Sequence, residues 1–189
     1  MITKEQLVEY AKGQLGRPYW YGTYGQITSA ALLGTKRQQY PKYYNQDNYK
    51  VKFTDQYGQK AHDCAGLIKG AVWCEGNIDA KPTYNSKQDL CANDILKKAC
   101  SVTGDIKNMP DVPGILVHYS GHIGIYIGGG YVIEARGHDY GVVKTKLGSR
   151  AWEHYGFCDW IQYGDLKKRT VNVTVIVDGV TYNGNISEV

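Results

Sequence analysis

The chain has 189 residues, of which 42% are apolar and 21% charged. That is enough for one ordinary domain with a real core, and too apolar for wholesale disorder. Its net charge is +4, which suits polyanions, but no arginine-rich helix, zinc module or RNA-binding signature accompanies it, so nucleic acid is set aside as a partner.

From the N-terminus, Thr3-Lys4-Glu5-Gln6 has capping-box spacing, and Leu7, Val8, Ala11 and Leu15 form one helical stripe that Gly16 and Pro18 end. Residues 23–61 make a long connection. In it Thr28 or Ser29 caps a short helix through Arg37, and Tyr40-Pro41-Lys42-Tyr43-Tyr44-Asn45 is dense in tyrosine and amide groups. A connection of this length is usually functional or mobile, and here it is expected to form one wall of a substrate cleft. The 17 tyrosines, against 2 phenylalanines, combine stacking area with a hydrogen-bonding tip; most of them are expected simply to fill half-buried sheet positions.

His62-Asp63-Cys64-Ala65-Gly66-Leu67-Ile68 follows. Leu67, Ile68, Ala71 and Val72 have helical spacing, and Asp63 is a good N-cap, so Cys64 falls in the first turn. Unpaired N–H groups and the helix dipole favour a thiolate there. Gly66 and Gly70 each weaken a helix by about 1 kcal/mol, a cost that makes sense if this face lies close against another element. A small buried hydrophobe is the plain alternative for Cys64. Residues 75–85 read as irregular, and Ser86 caps a helix over 87–99 that buries Leu90, Ile95 and Leu96.

After turn chemistry at 110–114 and a strand over 115–119 comes Gly121-His122-Ile123-Gly124-Ile125-Tyr126-Ile127-Gly128. Alternation gives a strand with one isoleucine face, and Gly128-Gly129-Gly130 turns the chain into a return over 131–136. A two-residue loop would drive Glu134 into the isoleucine face. A three-residue loop pairs Gly124 with Glu134 and His122 with Arg136, keeps both faces consistent, and makes His122 and Glu134 diagonal neighbours. Cysteine, base and orienting group together are the logic of a nucleophilic triad. Among the other histidines, His62 precedes the cap and is expected to point away, His118 reads as core or edge, His138 as a substrate contact or alternative orienter, and His154 has no matching motif.

A short strand is expected at 142–145, a helical stretch at 150–154 and a last strand at 158–163. Helices first and antiparallel strands second make an α+β order. The domain is expected to span 1–165. Residues 166–189 read as a basic linker, Lys167-Lys168-Arg169, and a β-hairpin too small for its own core, which packs on the domain, on a second copy by self-association, or on a partner. With Cys64 free, Cys74, Cys91, Cys100 and Cys158 form either two disulfides or, the preferred reading, reduced structural thiols. No C-x-x-C pair is present, so no metal site or cofactor is expected. No apolar run reaches the roughly 18 residues of a membrane span, so membrane insertion is not expected.

Asp63-Cys64-Ala65-Gly66-Leu67 and Gly121 to Gly128 resemble the two signature motifs of the NlpC/p60 family of papain-like cell-wall cysteine peptidases. Gly16-Arg17-Pro18-Tyr19-Trp20-Tyr21-Gly22 is similar to the family's segment upstream of the cysteine. The resemblance runs from about residue 3 to about residue 163. It implies a papain-like fold, with N-terminal helices on a central antiparallel sheet and the nucleophile at a helix N-terminus. It implies Cys64 and His122 as nucleophile and base, and Tyr19 beside them polarising the substrate carbonyl. Asp63, Tyr21 and His138 are further candidates for substrate or oxyanion contact. Glu134 departs from the histidine or amide that the family usually carries.

The implied substrate is peptidoglycan stem peptide, cut most often between D-glutamate and the diamino acid. A muramoyl–L-alanine amidase, an acyltransferase or transglutaminase-like enzyme, and a non-catalytic wall-binding phage module remain alternatives. The extended 23–61 segment is most similar to bacteriophage lysins. With no signal peptide in view, the expectation is synthesis in the cytoplasm and action on the wall after release by a membrane-permeabilising partner or delivery by a virion.

Overall fold

The computed structural model describes residues 1–45, 48–164, 170–178 and 180–187. In chain order the elements are β1 (Ile2–Thr3), α1 (Lys4–Gly13), β2 (Tyr24–Ile27), α2 (Ala30–Gln39), α3 (Pro41–Tyr44), β3 (Lys60–His62), α4 (Cys64–Trp73) and α5 (Ala92–Lys98). They are followed by β4 (Cys100–Asp105), β5 (Leu116–Tyr119), β6 (His122–Gly128), β7 (Tyr131–Ala135), β8 (Val142–Lys146), β9 (His154–Cys158), β10 (Ile161–Gln162), β11 (Thr170–Val177) and β12 (Val180–Ser187). The fold class is α+β. Its centre is a six-stranded sheet in the order β4-β9-β5-β6-β7-β8, antiparallel throughout.

The expected capping box is present: Thr3 and Gln6 exchange side-chain bonds with each other's backbone N–H, and Leu7, Val8, Tyr10 and Ala11 bury one face of α1. The isoleucine face of β6, Ile123 and Ile125, joins Leu67, Ile68 and Ala71 of α4 and Leu7 of α1 in the main core. Nearly the whole of α4 is buried, and its two glycines have a visible reason. A Cβ on Gly66 would collide with the Thr23 carbonyl, and one on Gly70 would lie 2.7 Å from the Tyr24 carbonyl. The glycines let α4 sit directly on β2.

The 23–61 connection is not a loop but a built wall. Strands β2 and β3 pair antiparallel, with α2 and α3 carried between them. Ser29, rather than Thr28, caps α2 through Leu32 N–H at 3.1 Å. Thr28 instead donates to the Gln56 carbonyl and, at 2.9 Å, to the Gln59 carbonyl, closing the base of the excursion. Trp20, Leu33, Tyr44 and Ala61 form its own small core.

Four sequence expectations need correction. The helix expected over 87–99 is a 3₁₀ turn at Ser86–Gln88 followed by α5. Gln88 accepts from the Trp73 indole at 2.9 Å and Asp89 pairs with Lys69 at 2.6 Å, so this stretch is pulled onto α4 instead of continuing a helix. Residues 150–154 are not helical: Leu147–Ser149 is a 3₁₀ turn, and His154 already begins β9. The final strand divides into β9 and a separate β10, which pairs in parallel with β1. The edge strand β4 was not anticipated: the alternation of Cys-Ser-Val-Thr is only four residues long and runs into Gly104-Asp105.

The expected C-terminal hairpin forms, with Val177 opposite Val180. The basic run 167–169 lies outside the described residues. All five cysteines are free thiols.

Candidate active site

The site lies where the start of α4 meets the start of β6. Asp63 is the N-cap: its Oδ1 accepts from Gly66 N–H at 2.5 Å, while Oδ2 accepts from Gly22 N–H at 2.8 Å. One carboxylate therefore starts the helix and ties the Tyr19–Gly22 segment across it. Both oxygens are committed to backbone donors, so Asp63 acts as a strut rather than as a free substrate contact.

Cys64, half-buried, follows immediately. The backbone N–H groups of Ala65, Ile123 and Cys64 itself are near enough to favour the ionised form of the thiol. The donor from Ile123 sets the thiol one residue along the chain from His122. The expectation of a thiolate favoured by the helix start is not met in this arrangement. Burial and then the Asp63 charge raise the thiol, which the three N–H groups oppose, and it is pushed up to about 12. Removal from water and an adjacent carboxylate outweigh the helix start.

The β6–β7 register places Ile125 opposite Ile133 and Tyr126 opposite Val132. Its offset there is the one on which the expected Gly124–Glu134 pairing rests. The turn itself differs: a register shift between Tyr126 and Gly128 brings Gly128 opposite Tyr131, so a bulge and a tighter turn replace a simple three-residue loop. Gly128, Gly129 and Gly130 all take positive φ, which three residues with a Cβ would resist.

His122 Nε2 lies 2.7 Å from Glu134 Oε2, and Glu134 is fully buried. A carboxylate only accepts, so Nε2 carries the proton and Nδ1 is left as the nitrogen for proton exchange. Burial pushes the Glu134 carboxyl up, but the His122 and Thr145 hydrogen bonds and the His122 and Arg150 charges outweigh it and hold it below its ordinary value. Thr145 donates to Oε1 at 2.8 Å, and Arg150 Nε lies 3.2 Å from the same oxygen. Arg150 Nη2 also donates to the Tyr119 hydroxyl at 2.7 Å. The Trp152 ring stacks on the imidazole with centroids 5.6 Å apart, and Tyr119 packs on it at 5.1 Å. Gly124 makes room, since a Cβ there would lie 3.0 Å from the Trp152 ring.

Sequence reasoning missed Thr145, Arg150, Tyr119 and Trp152. The β7–β8 ladder pairs Glu134 with Val143, so Thr145 is a diagonal neighbour, and the rule that found Glu134 from His122 would have found it. Arg150 had no such signal, because it comes from an irregular segment that was read as helix.

Tyr19 is half-buried beside Cys64. Burial, then Asp63 and Cys64, push its phenol well up, so it remains an O–H donor, and its hydroxyl makes no hydrogen bond to the described residues. Tyr21 stacks on Tyr43 with centroids 3.8 Å apart and is pushed up to about 12 by burial first and then by Tyr43. His138 is bonded to neither Cys64, His122 nor Glu134: its two nitrogens lie 3.2 Å from the Tyr19 carbonyl and 2.7 Å from the Val51 carbonyl. It bridges the wall to the segment carrying Tyr19. His62 is fully buried, bonded to the Tyr10 hydroxyl at 3.0 Å, and turned away from the thiol as expected.

Comparison with protein-family models and with curated protein sequences returns no match. Among solved structures, the chain is similar to the peptidoglycan hydrolase RipB from Mycobacterium tuberculosis, at 20% identity and a TM-score of 0.46, over 82% of this chain and 65% of that one. It therefore spans just under two thirds of the RipB chain. It is also similar to the NlpC/p60 domain of the peptidoglycan hydrolase SagA, at 14% identity and a TM-score of 0.46, over 82% and 99% of the two chains. The P60 domain of an antigen from M. avium subspecies paratuberculosis follows at 17% identity and 0.45, over 82% and 96%. Likenesses this remote are of fold outline and assign no activity.

Proposed function

We propose that the protein is a peptidoglycan hydrolase of the cysteine peptidase or amidase type, with Cys64 as nucleophile, His122 as base and Glu134 as orienter. The observation that carries this reading is the His122–Glu134 hydrogen bond at 2.7 Å, held beside a cysteine at a helix start whose thiol lies near the Ile123 N–H. A pure binding module needs no imidazole oriented by a buried carboxylate.

In the proposed reaction, a wall-peptide carbonyl docks over Cys64 and the thiol proton passes to His122 Nδ1 as sulfur attacks carbon. A thiol pushed up to about 12, with no hydrogen bond to the imidazole among the described residues, favours proton transfer during attack over a standing ion pair. The Cys64 N–H and the Tyr19 hydroxyl hold the oxyanion. The amine leaves with the proton from His122, and water, deprotonated by His122, releases the acyl group from sulfur. Glu134 holds Nε2–H and stabilises the imidazolium. The bond proposed is that between D-glutamate and the diamino acid, in a lysin-like enzyme whose extended wall narrows the cleft. The muramoyl–L-alanine bond is the second reading.

Purified walls and mass spectrometry of the soluble products test this. Wild type should release peptides with one new amine terminus and Cys64→Ala none. Equal release by the two proteins would remove Cys64 from the mechanism.

A further inference from the structure

A pocket of about 460 Å³ opens beside the nucleophile, between Asp63 and Ala65 of the catalytic turn and Tyr21, Lys36, Tyr40 and Lys69. Its size is that of a ligand site. The larger cavity, about 1170 Å³, lies at the other end of α4, around Trp73 and Glu75.

The smaller pocket is lined by two lysines and two aspartates, but they are not all paired with one another. Lys69 is paired with Asp89 at 2.6 Å. Asp63 is spent on the Gly22 and Gly66 N–H groups. Lys36 is 7% exposed, and its ammonium donates to Gln39 Oε1 at 3.1 Å and lies 5.5 Å from the Tyr40 ring centroid. No carboxylate of the described residues forms an ion pair with it. Even a partly buried ammonium without a counter-ion costs free energy, and a protein with no use for the charge gains from replacing it. Burial also loosens the Lys36 proton, an effect that Asp63 and Asp89 oppose and Lys69 reinforces. The last turn of α2, where Lys36 sits, belongs to the built wall and not to the triad.

We infer that this pocket is an anion subsite in which Lys36 binds a free carboxylate of the substrate, on the part that passes Cys64 towards α2. The inference rests on the hydrolase reading for the identity of the substrate, but not for the existence of the site. An incoming carboxylate would take a charge-assisted bond from Lys36, with the Gln39 amide and the tyrosine hydroxyls as further donors, and would leave Lys69–Asp89 intact. Substrates in which that carboxyl is a primary amide would lose the charge and exchange one of its two acceptor oxygens for an NH2 donor.

The test uses two synthetic stem peptides of one sequence, one with its acidic residue as the free carboxylate and one with that group as the primary amide. Binding to the Cys64→Ala protein is measured by calorimetry, and cleavage by wild type is measured in parallel. The carboxylate peptide should bind at least about tenfold tighter, a preference that Lys36→Met erases and Lys36→Arg partly restores. The amide peptide should bind Lys36→Met as it binds the parent, which also reports that the variant is folded. Equal binding of the two peptides to Cys64→Ala, including no binding of either, overturns the inference, as does a preference that survives Lys36→Met. Discrimination in binding with no cleavage by wild type would sink the hydrolase reading and leave the anion subsite standing.

Discussion

The two sides of the cleft are built by different means. On the sheet side, His122 and Glu134 are carried by paired central strands, and the carboxylate is gripped by Thr145 and Arg150 as well. On the wall side, β2 and β3 pair and pack on α4, and the outer part is tied down by single side chains reaching across long sequence gaps. His138 spans to Val51 at 2.7 Å, Asp139 accepts from Lys50 N–H at 2.9 Å, and Tyr49 and Phe53 pack on the His138 ring. A ladder holds a base to the tolerance chemistry needs, whereas a few side-chain ties hold the outer wall that sets the shape of the cleft. Damage on the sheet side should therefore appear in kcat, and damage on the wall side in KM.

The largest effect is expected at Glu134. Alanine removes the orienter and leaves Arg150 and Thr145 facing a buried hole. The rate on soluble stem peptide should fall towards, without reaching, the ~10⁴-fold ceiling of triad orienters, and unfolding in urea should cost about 3–5 kcal/mol. Glu134→Gln keeps an acceptor oxygen and should retain partial rate. An unaffected Glu134→Ala beside an inactive His138→Ala would reverse the comparison between the two sides.

Arg150→Met should do less, about tenfold in kcat. It also carries a sign: Arg150 is one of the influences that lower the Glu134 carboxyl. Without it that carboxyl titrates higher, so the acid limb of the pH–rate profile should move to higher pH. An unmoved limb would mean that the 3.2 Å ion pair does not act on the triad.

These two residues also mark how far the sequence could be read. The place of Cys64 at the start of α4 and the His122–Glu134 contact were legible because capping, alternation and a face-consistency argument are local, and the register only had to span one hairpin. Asp63 was legible as a cap but not as a tie to Gly22, since that bond crosses 41 residues. Arg150 was misread because its segment takes its shape from Glu134 and Tyr119 rather than from any periodicity of its own. In the wall the short helix α2 was legible from its cap, but β2, α3 and β3 were not, because the small core around Trp20 has no helical or alternating stripe to announce it.

On the wall side, His138→Ala should raise KM a few-fold while leaving most of kcat, because it releases the Tyr19 and Val51 carbonyls but touches neither Cys64 nor His122. A kcat loss comparable to that of Glu134→Ala would place His138 with the triad.

The smallest effect on rate, and the most distinctive in stability, belongs to His62 in β3. This imidazole is fully buried; burial first, and then Lys60 and Arg17, lower it to about 3. In the unfolded chain it titrates near its ordinary value, about 6.5. Between those values the unfolded state binds a proton that the folded state refuses, so stability present above about pH 6.5 is lost as pH falls towards the folded value. The slope contributed is at most about 1.4 kcal/mol per pH unit. His62→Asn should be less stable than wild type at neutral pH, having lost the Tyr10 bond and some packing. Its deficit should shrink as pH is lowered, because asparagine carries no such penalty. Urea midpoints from about pH 7 to about pH 4 measure the difference, in which the carboxylate contributions common to both proteins cancel. Parallel curves would mean that His62 takes up its proton in the folded wall, and that β3 is looser than its burial implies.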